Sequence, residues 1–230
     1  MTRRIVVIGG GGFGREVLEL IEDVNASARD DEWIVEGVLD DGSPDTALLA
    51  QLGTTHLGAV DVIRGLDDDV AHVIAIGGCA ARAAIDERCV AWGRQAATLV
   101  HPTAVVGKRS VDIGEGSVLC AHSTATTNVQ LGRHVHLNPH ASVGHDSTVG
   151  DHSTLTPQVG IAGQVVLGER VFVGTGAIVG PGITVGADTL VGAGAVVVRD
   201  VAPGATVAGV PARELGSTTG HELQARSPQQ

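Results

Sequence analysis

A small or aliphatic apolar side chain returns at every sixth position through most of the second half of this 230-residue chain. Counting from Ile113, the series runs Leu119, Ala125, Leu131, Leu137, Val143, Val149, Leu155, Ile161, Leu167, Val173, Val179, Val185, Val191 and Val197. Nine of these fifteen positions are followed directly by glycine, which puts a corner after each of them. A helix repeats every 3.6 residues and a strand every two, so neither explains a period of six. A solenoid does. Each hexad supplies one short strand and one corner, and three hexads close a triangular coil of 18 residues with the repeated side chain on its axis. Stacked coils pair every strand with the ones above and below it, so backbone groups are satisfied along the whole prism. Residues 113–202 hold five such coils and 101–112 a degenerate first turn. The period does not set the handedness, for which the general rule favours right-handed crossovers.

Upstream, the rhythm is different. Strand-like Ile5–Ile8, Ile34–Leu39, Val70–Ile76 and Ala97–Val100 alternate with helix-like Arg15–Val24 and Ala80–Trp92. This alternation predicts a small parallel α/β sheet with helices on its faces. Gly9, Gly11 and Gly14 fit the pattern G-x-G-x-x-G between a strand and a helix, and Asp40 closes the second strand. A dinucleotide site needs two mononucleotide halves, and the stretch before the repeats has room for one. The loop therefore reads either as a cradle for the phosphates of one nucleotide or as a tight strand-to-helix turn. The expected organisation is a Rossmann-like half domain over 1–100, a β-solenoid over 101–215 and a polar tail over 216–230, to which no function is assigned.

Composition narrows the function. A formal net charge of -11 without a basic stripe argues against a nucleic-acid partner. Aromatic residues make up only 2% of the chain, so the cores must be built from Val, Ile, Leu and Ala. Cys79, Cys89 and Cys120 are odd in number and lack metal-ligand spacing, which reads as reduced structural thiols. Met1–Arg4 leads straight into a strand without space for a secretion signal, and no apolar run is long enough to span a bilayer. A cytoplasmic protein with no membrane association is expected.

An 18-residue coil makes positions i and i+18 vertical neighbours. His122 then stacks under His140, His134 under His152, and His145 under Gly163. Beside Gly163 an imidazole has space for a reacting group and a nearby backbone N–H, the best-placed donor for an oxyanion. His145 is followed by Asp146, a carboxylate able to orient the ring, and an imidazole suits the general base of acyl transfer to an amine or hydroxyl. The other column histidines read as surface residues on flat faces.

The segments Gly9-Gly10-Gly11-Gly12-Phe13-Gly14-Arg15-Glu16, Val38-Leu39-Asp40-Asp41, Ile74-Ala75-Ile76-Gly77, His101-Pro102, Gly144-His145-Asp146, Ala162-Gly163 and Gly209-Val210-Pro211-Ala212 occur in an order and spacing that resemble one family. It is the hexapeptide-repeat sugar acetyltransferases, the branch containing the bacillosamine-pathway N-acetyltransferase and sialic-acid O-acetyltransferases. The resemblance covers roughly residues 3–215. It implies a left-handed β-helix, a homotrimer with acetyl-CoA bound between subunits, no metal, and His145 as general base assisted by Asp146. It further implies cofactor contacts at Thr154, Gly163, Thr175 and Ala193. Contacts to a nucleotide-linked amino sugar would come from Gly11, Gly12, Phe13, Asp40 and Asp41. Thr154 stands where many relatives carry a second histidine, Phe13 where the bacillosamine enzyme has a histidine, and Gly78 where asparagine is frequent.

N-acetylation of a nucleotide amino sugar is the leading reading, and O-acetylation of a sialic-acid-like sugar the second. A zinc-dependent β-helical hydratase using His140 and His145 is a third class, and a non-catalytic scaffold a fourth. Arg199 and Arg213 are the basic residues placed to meet coenzyme A phosphates.

Overall fold

In the computed structural model the described residues are 2–28 and 32–215, so the tail expected at 216–230 lies outside them. The chain opens with β1 (Thr2–Ile8), α1 (Gly12–Ser27), β2 (Glu32–Leu39), α2 (Thr46–Gln51), β3 (His56–Gly58), a 3-10 turn (Val60–Gly65), β4 (Val70–Ile74) and α3 (Cys79–Ala91). The four strands form one parallel sheet in the order β3-β2-β1-β4. The core of β1, Ile5 to Ile8, is fully buried, as expected for a central parallel strand covered on both faces.

From Leu99 onward the chain winds as a triangular β-helix. Its three walls contain eight, six and five strands. Pairing is i to i+18 from Val111 to Val197: His136 faces Thr154, Ser142 faces Gly160, and Thr148 faces Val166; the offset is 19 at the first coil and 16 at the last. Leu137, Val143, Val149, Leu155 and their repeats point to the axis and form one continuous core. The last strand, Arg213–Glu214, turns back antiparallel on Thr206–Ala208 and covers the end of the eight-stranded wall. Leu99–Val100 pairs with Val118–Leu119 rather than with the N-terminal sheet. The solenoid therefore begins two residues earlier than the sequence reading placed it, and of the strand expected at Ala97–Val100 only the start meets the first domain, where Ala96 bridges His72 of β4 and Ala97 N–H donates to the His72 carbonyl.

Two further phases of the repeat explain residue choices that the aliphatic phase does not. Every sixth residue from Ser110 to Gly194 has positive φ, including His122, Asn128, His134, His140, Asp146, His152, Gln158, Gln164, Arg170 and Asp188. Glycine, Asn, Asp and His tolerate that region best, so four of the column histidines sit where the backbone of a corner asks for such a residue. His145 falls outside this phase. One residue before each of these lies a position whose backbone N–H, at 145, 163, 175 and 193 among others, donates to no backbone acceptor among the described residues. Pro139, Pro157 and Pro181 occupy this position, where a missing N–H costs nothing.

The N-terminal domain packs on the eight-stranded wall. Leu99, Val118 and Cys120 from that wall join Ile5, Val7, Val17, Leu18 and Ile21 in one core cluster. Arg82 of α3 is fully buried in the junction. Its guanidinium donates to the carbonyls of Ile76, His134 and His152 and to Thr154 Oγ1 at 2.6–3.0 Å. The charge is shared among carbonyl dipoles from both domains, and burial lowers its pKa to about 10.

Candidate functional site

His145 and Asp146 form the turn that joins the six-stranded wall at Ser142–Val143 to the five-stranded wall at Thr148–Val149. Asp146 adopts φ 60°, and its Oδ2 lies 2.7 Å from His145 Nδ1. A carboxylate at Nδ1 selects the tautomer protonated there and leaves Nε2 with a lone pair. The opposite side of the ring rests on Gly163: a Cβ built at 163 would fall 2.5 Å from Nε2. The sequence pairing of His145 with a bare backbone one coil above is thus realised, and the side chain is 61% exposed at the surface. The Gly163 N–H has no backbone acceptor among the described residues. One corner therefore combines an imidazole oriented by a carboxylate, a neighbour without a side chain and a backbone N–H with no backbone acceptor among the described residues.

Asp146 has a second partner that the sequence reading missed. Asn128, one coil below, donates from Nδ2 to Asp146 Oδ1 at 2.7 Å. Hydrogen bonds from Asn128 and His145, in that order, hold the Asp146 carboxyl below the usual aspartate range. The same 18-residue rule that paired 145 with 163 also pairs 128 with 146, so the signal was present.

The other expected residues divide between places. Thr175 and Ala193 are exposed neighbours in the column at the far edge of the six-stranded wall, where Thr175 Oγ1 approaches Thr156 Oγ1 at 3.4 Å. Thr154 is on another wall altogether. It is buried beneath the N-terminal domain, donates to the Gly77 carbonyl at 3.1 Å and accepts from Arg82. Its hydroxyl is taken up in domain docking, and within one chain it lies on a different wall from His145. Arg199 and Arg213 line one cavity of about 160 Å³ at the end of the solenoid. His140 and His145 stand at opposite edges of the six-stranded wall, so the pair suggested for a zinc site is not assembled within a chain.

In the glycine loop, different glycines have different reasons. A Cβ on Gly14 would fall 1.8 Å from the Gly9 carbonyl oxygen, and Gly9 itself has φ 112°, so these two serve the tight strand-to-helix turn. Gly11 and Gly12 meet nothing within 4 Å and open the loop to solvent. Gly11 caps α1 without a side-chain partner and the first turn holds no acidic residue, which leaves helix N–H groups and the positive dipole end facing outward. Phe13 packs its ring 4.9 Å from His136 of the solenoid and thereby anchors this end of α1. Asp40 accepts from Gly10 N–H and Gly42 N–H, both at 2.7 Å, and so fixes the loop. Asp41 accepts from Val60 N–H at 2.8 Å and from Arg88 at 3.1 Å. Both carboxylates, expected to meet a nucleotide, have structural work within the chain.

Two columns predicted from spacing are present: His122 and His140 stack at 5.0 Å, and His134 and His152 at 5.7 Å. The second pair is not on a flat surface, because the N-terminal domain covers it. His152 Nε2 and His134 Nε2 lie 2.9 and 3.0 Å from the buried Asp86 carboxylate, and Arg133 Nη2 lies 2.8 Å from it. Burial alone would raise the Asp86 carboxyl, but the hydrogen bonds from His152 and Arg133 and the close approach of His134 outweigh it and hold it far below its ordinary range. His72 completes the cluster, stacked on His134 at 6.1 Å. His72, Asp86 and His134 are close enough to hold a cation. The Arg133 guanidinium already matches the carboxylate's charge, which makes this cluster a domain clasp.

A solenoid of hexads closed three to a coil is the architecture of the hexapeptide-repeat transferases. The "Bacterial transferase hexapeptide (six repeats)" family matches residues 164–199, and the "PglD N-terminal domain" family matches residues 4–89. A variant of perosamine N-acetyltransferase from Caulobacter crescentus, solved with CoA and GDP-perosamine, is 33% identical. It aligns over 93% of this chain and 97% of that one with a TM-score of 0.82. The acetyltransferase domain of PglB from Neisseria gonorrhoeae FA1090, solved with acetyl coenzyme A, is 31% identical over 94% of this chain and all of that one, with a TM-score of 0.83. UDP-N-acetylbacillosamine N-acetyltransferase of Bacillus subtilis (strain 168) is 35% identical over 119 residues. That match spans about half the length of each protein. The chain belongs to the hexapeptide-repeat sugar acetyltransferases, and its solenoid is a left-handed parallel β-helix.

Proposed function

We propose that this protein transfers the acetyl group of acetyl-CoA to the amino group of a nucleotide-linked amino sugar, with His145 as general base. The observation that carries the reading is the ring of His145, held at Nδ1 by Asp146 and packed over Gly163 on its other side. Nε2 takes the proton of the attacking amine as nitrogen bonds to the thioester carbonyl carbon. The Gly163 N–H faces the developing oxyanion. Collapse of the tetrahedral intermediate breaks the carbon–sulfur bond, and the proton on Nε2 passes to the departing thiolate, giving the amide and free CoA. Asp146 stabilises the imidazolium in between. No acyl-enzyme is needed.

The acceptor class rests on the named relatives, two of which are a perosamine N-acetyltransferase solved with GDP-perosamine and a UDP-N-acetylbacillosamine N-acetyltransferase. The open Gly11–Gly12 turn and the uncapped start of α1 suit the phosphates of the acceptor. That loop docks on the eight-stranded wall, whereas His145 lies on the edge between the other two. A homotrimer brings the loop of one copy to the His145 edge of the next, with acetyl-CoA between Gly163 and the Thr175–Ala193 column. Val105 and Ile178 on the six-stranded wall and Val166 on the five-stranded wall are 60, 49 and 45% exposed, apolar surface that such an assembly would cover. No described helix is long and apolar enough to cross a membrane, which fits a cytoplasmic site of action.

The test is CoA release with GDP- and UDP-linked amino sugars beside hydroxyl-only acceptors. Activity with the amines that falls at least about a hundredfold in His145→Ala is expected. Turnover of hydroxyl acceptors alone would move the assignment to O-acetylation, and an active His145→Ala would remove the base.

A further inference from the structure

The corner that carries the base is three side chains deep. Asn128, Asp146 and His145 form a chain in which each contact is 2.7 Å long: Asn128 Nδ2 to Asp146 Oδ1, and Asp146 Oδ2 to His145 Nδ1. The two carboxylate oxygens are thus held by different partners. A carboxylate gripped at one oxygen still swivels about its own side-chain bond, and with it the plane in which it accepts from an imidazole. A grip at the second oxygen fixes that plane. The restraint matters here because the Asp146 side chain is 45% exposed and the His145 side chain 61%, so packing alone holds neither.

The local backbone explains how the contact arises. Residues 128 and 146 occupy the same phase of successive coils and both have positive φ, 51° and 60°, so their side chains leave the corner in the same direction, one above the other. Ser110, Gln164 and Gly182 continue the column, but only at 128 and 146 does an amide donor meet a carboxylate. Asparagine satisfies both demands at once, tolerating the left-handed backbone and offering an N–H.

Resting on the general-base reading of His145, we infer that Asn128 is a positioning residue of the reaction, aiming the His145 ring by fixing the Asp146 carboxylate without touching substrate. The clean perturbation is Asn128→Gly, which removes the amide yet keeps a residue at home at positive φ. Asp146→Gly does the same for the carboxylate, and the two together complete a double-mutant cycle. Asn128→Gly is expected to lower kcat about five- to tenfold, as for loss of a hydrogen bond to a half-exposed charged group. KM for acetyl-CoA should stay within about twofold, because no contact to the cofactor is removed. In the Asp146→Gly background the same substitution is expected to change kcat less than about twofold.

A wild-type kcat in Asn128→Gly, or an equal loss in both backgrounds, overturns the proposal, since a merely structural residue would add its effect independently of Asp146. His145→Ala separates the two levels. If that variant is inactive and Asn128→Gly is unaffected, only the positioning role fails; if His145→Ala is active, the base assignment fails and this one with it.

Discussion

One methyl group at position 163 tests the geometry of the corner proposed to be catalytic. In Gly163→Ala the new Cβ would lie 2.5 Å from His145 Nε2, 2.6 Å from Cε1 and 3.0 Å from Cδ2. Ordinary contact begins at 3.4 Å, so the ring must retreat by about 0.9 Å. The backbone at 163 is not in the positive-φ region, and alanine brings no conformational strain. The ring can move into solvent, so the change should cost less than about 0.5 kcal/mol of stability, the range of an ordinary surface substitution. Catalysis is another matter, because a displacement of about 1 Å in a reacting group is worth roughly a hundredfold in rate. The retreat also bends the 2.7 Å contact with Asp146 that sets the tautomer. The expected result is a kcat about a hundredfold lower with a melting temperature within about 2 °C of the parent. CoA release detected with a thiol reagent gives the first number and thermal unfolding the second. Full activity in Gly163→Ala would refute the reasoning, as would a loss of activity that merely follows a loss of fold.

Two more outcomes follow from the fold. His72 is buried and stays neutral, with a pKa lowered to about 4, chiefly by burial and then by His134. An unfolded histidine titrates near 6.5, so between pH 6.5 and 4 the unfolded chain binds the extra proton and stability is lost as pH falls through that window. His72 alone should cost about 2 kcal/mol at pH 5 relative to pH 8, and His134 and His136, lowered in the same direction by burial, add to it. Urea unfolding at the two pH values measures this; His72→Gln should reduce the slope by about one proton, and an unchanged slope would contradict it. Separately, Ala121 occupies the phase of Pro139, Pro157 and Pro181 and has no backbone acceptor for its N–H among the described residues. Ala121→Pro is expected to leave the melting temperature unchanged or slightly raised, whereas His122→Pro, at φ 58°, should not fold; a damaging Ala121→Pro would show that the corner needs that donor.

Much of this architecture was legible because a solenoid writes its geometry into the sequence at constant spacing. The aliphatic phase gave the coil, and the coil length gave the columns at 122/140, 134/152 and 145/163, each of which is present. Spacing within the solenoid cannot say which wall is covered, however. Spacing alone therefore makes His134 and His152 surface residues, whereas the N-terminal domain covers them against Asp86. Leu99–Val100 was misassigned for a related reason: a short apolar run shows that a strand is buried but not which sheet receives it. The short elements at 46–51 and 56–58 and the 3-10 turn at 60–65 carry too few residues to express a period. The contact of Asn128 with Asp146 follows from the same 18-residue spacing, but an amide carries no titratable group to mark it in the sequence.

The constant register of 18 residues between Val111 and Val197 makes the length of this protein a quantised variable. Removing or inserting one whole circuit shortens or lengthens the prism by one strand spacing, roughly 4.8 Å, and returns every later residue to the same side. A change of six residues instead turns everything beyond it by a third of a revolution. Length variants arising by duplication or loss in this part of the chain should therefore survive in steps of a full circuit, and those that interrupt the step between Asn128 and Gly163 should keep a folded prism while dismantling its reactive edge.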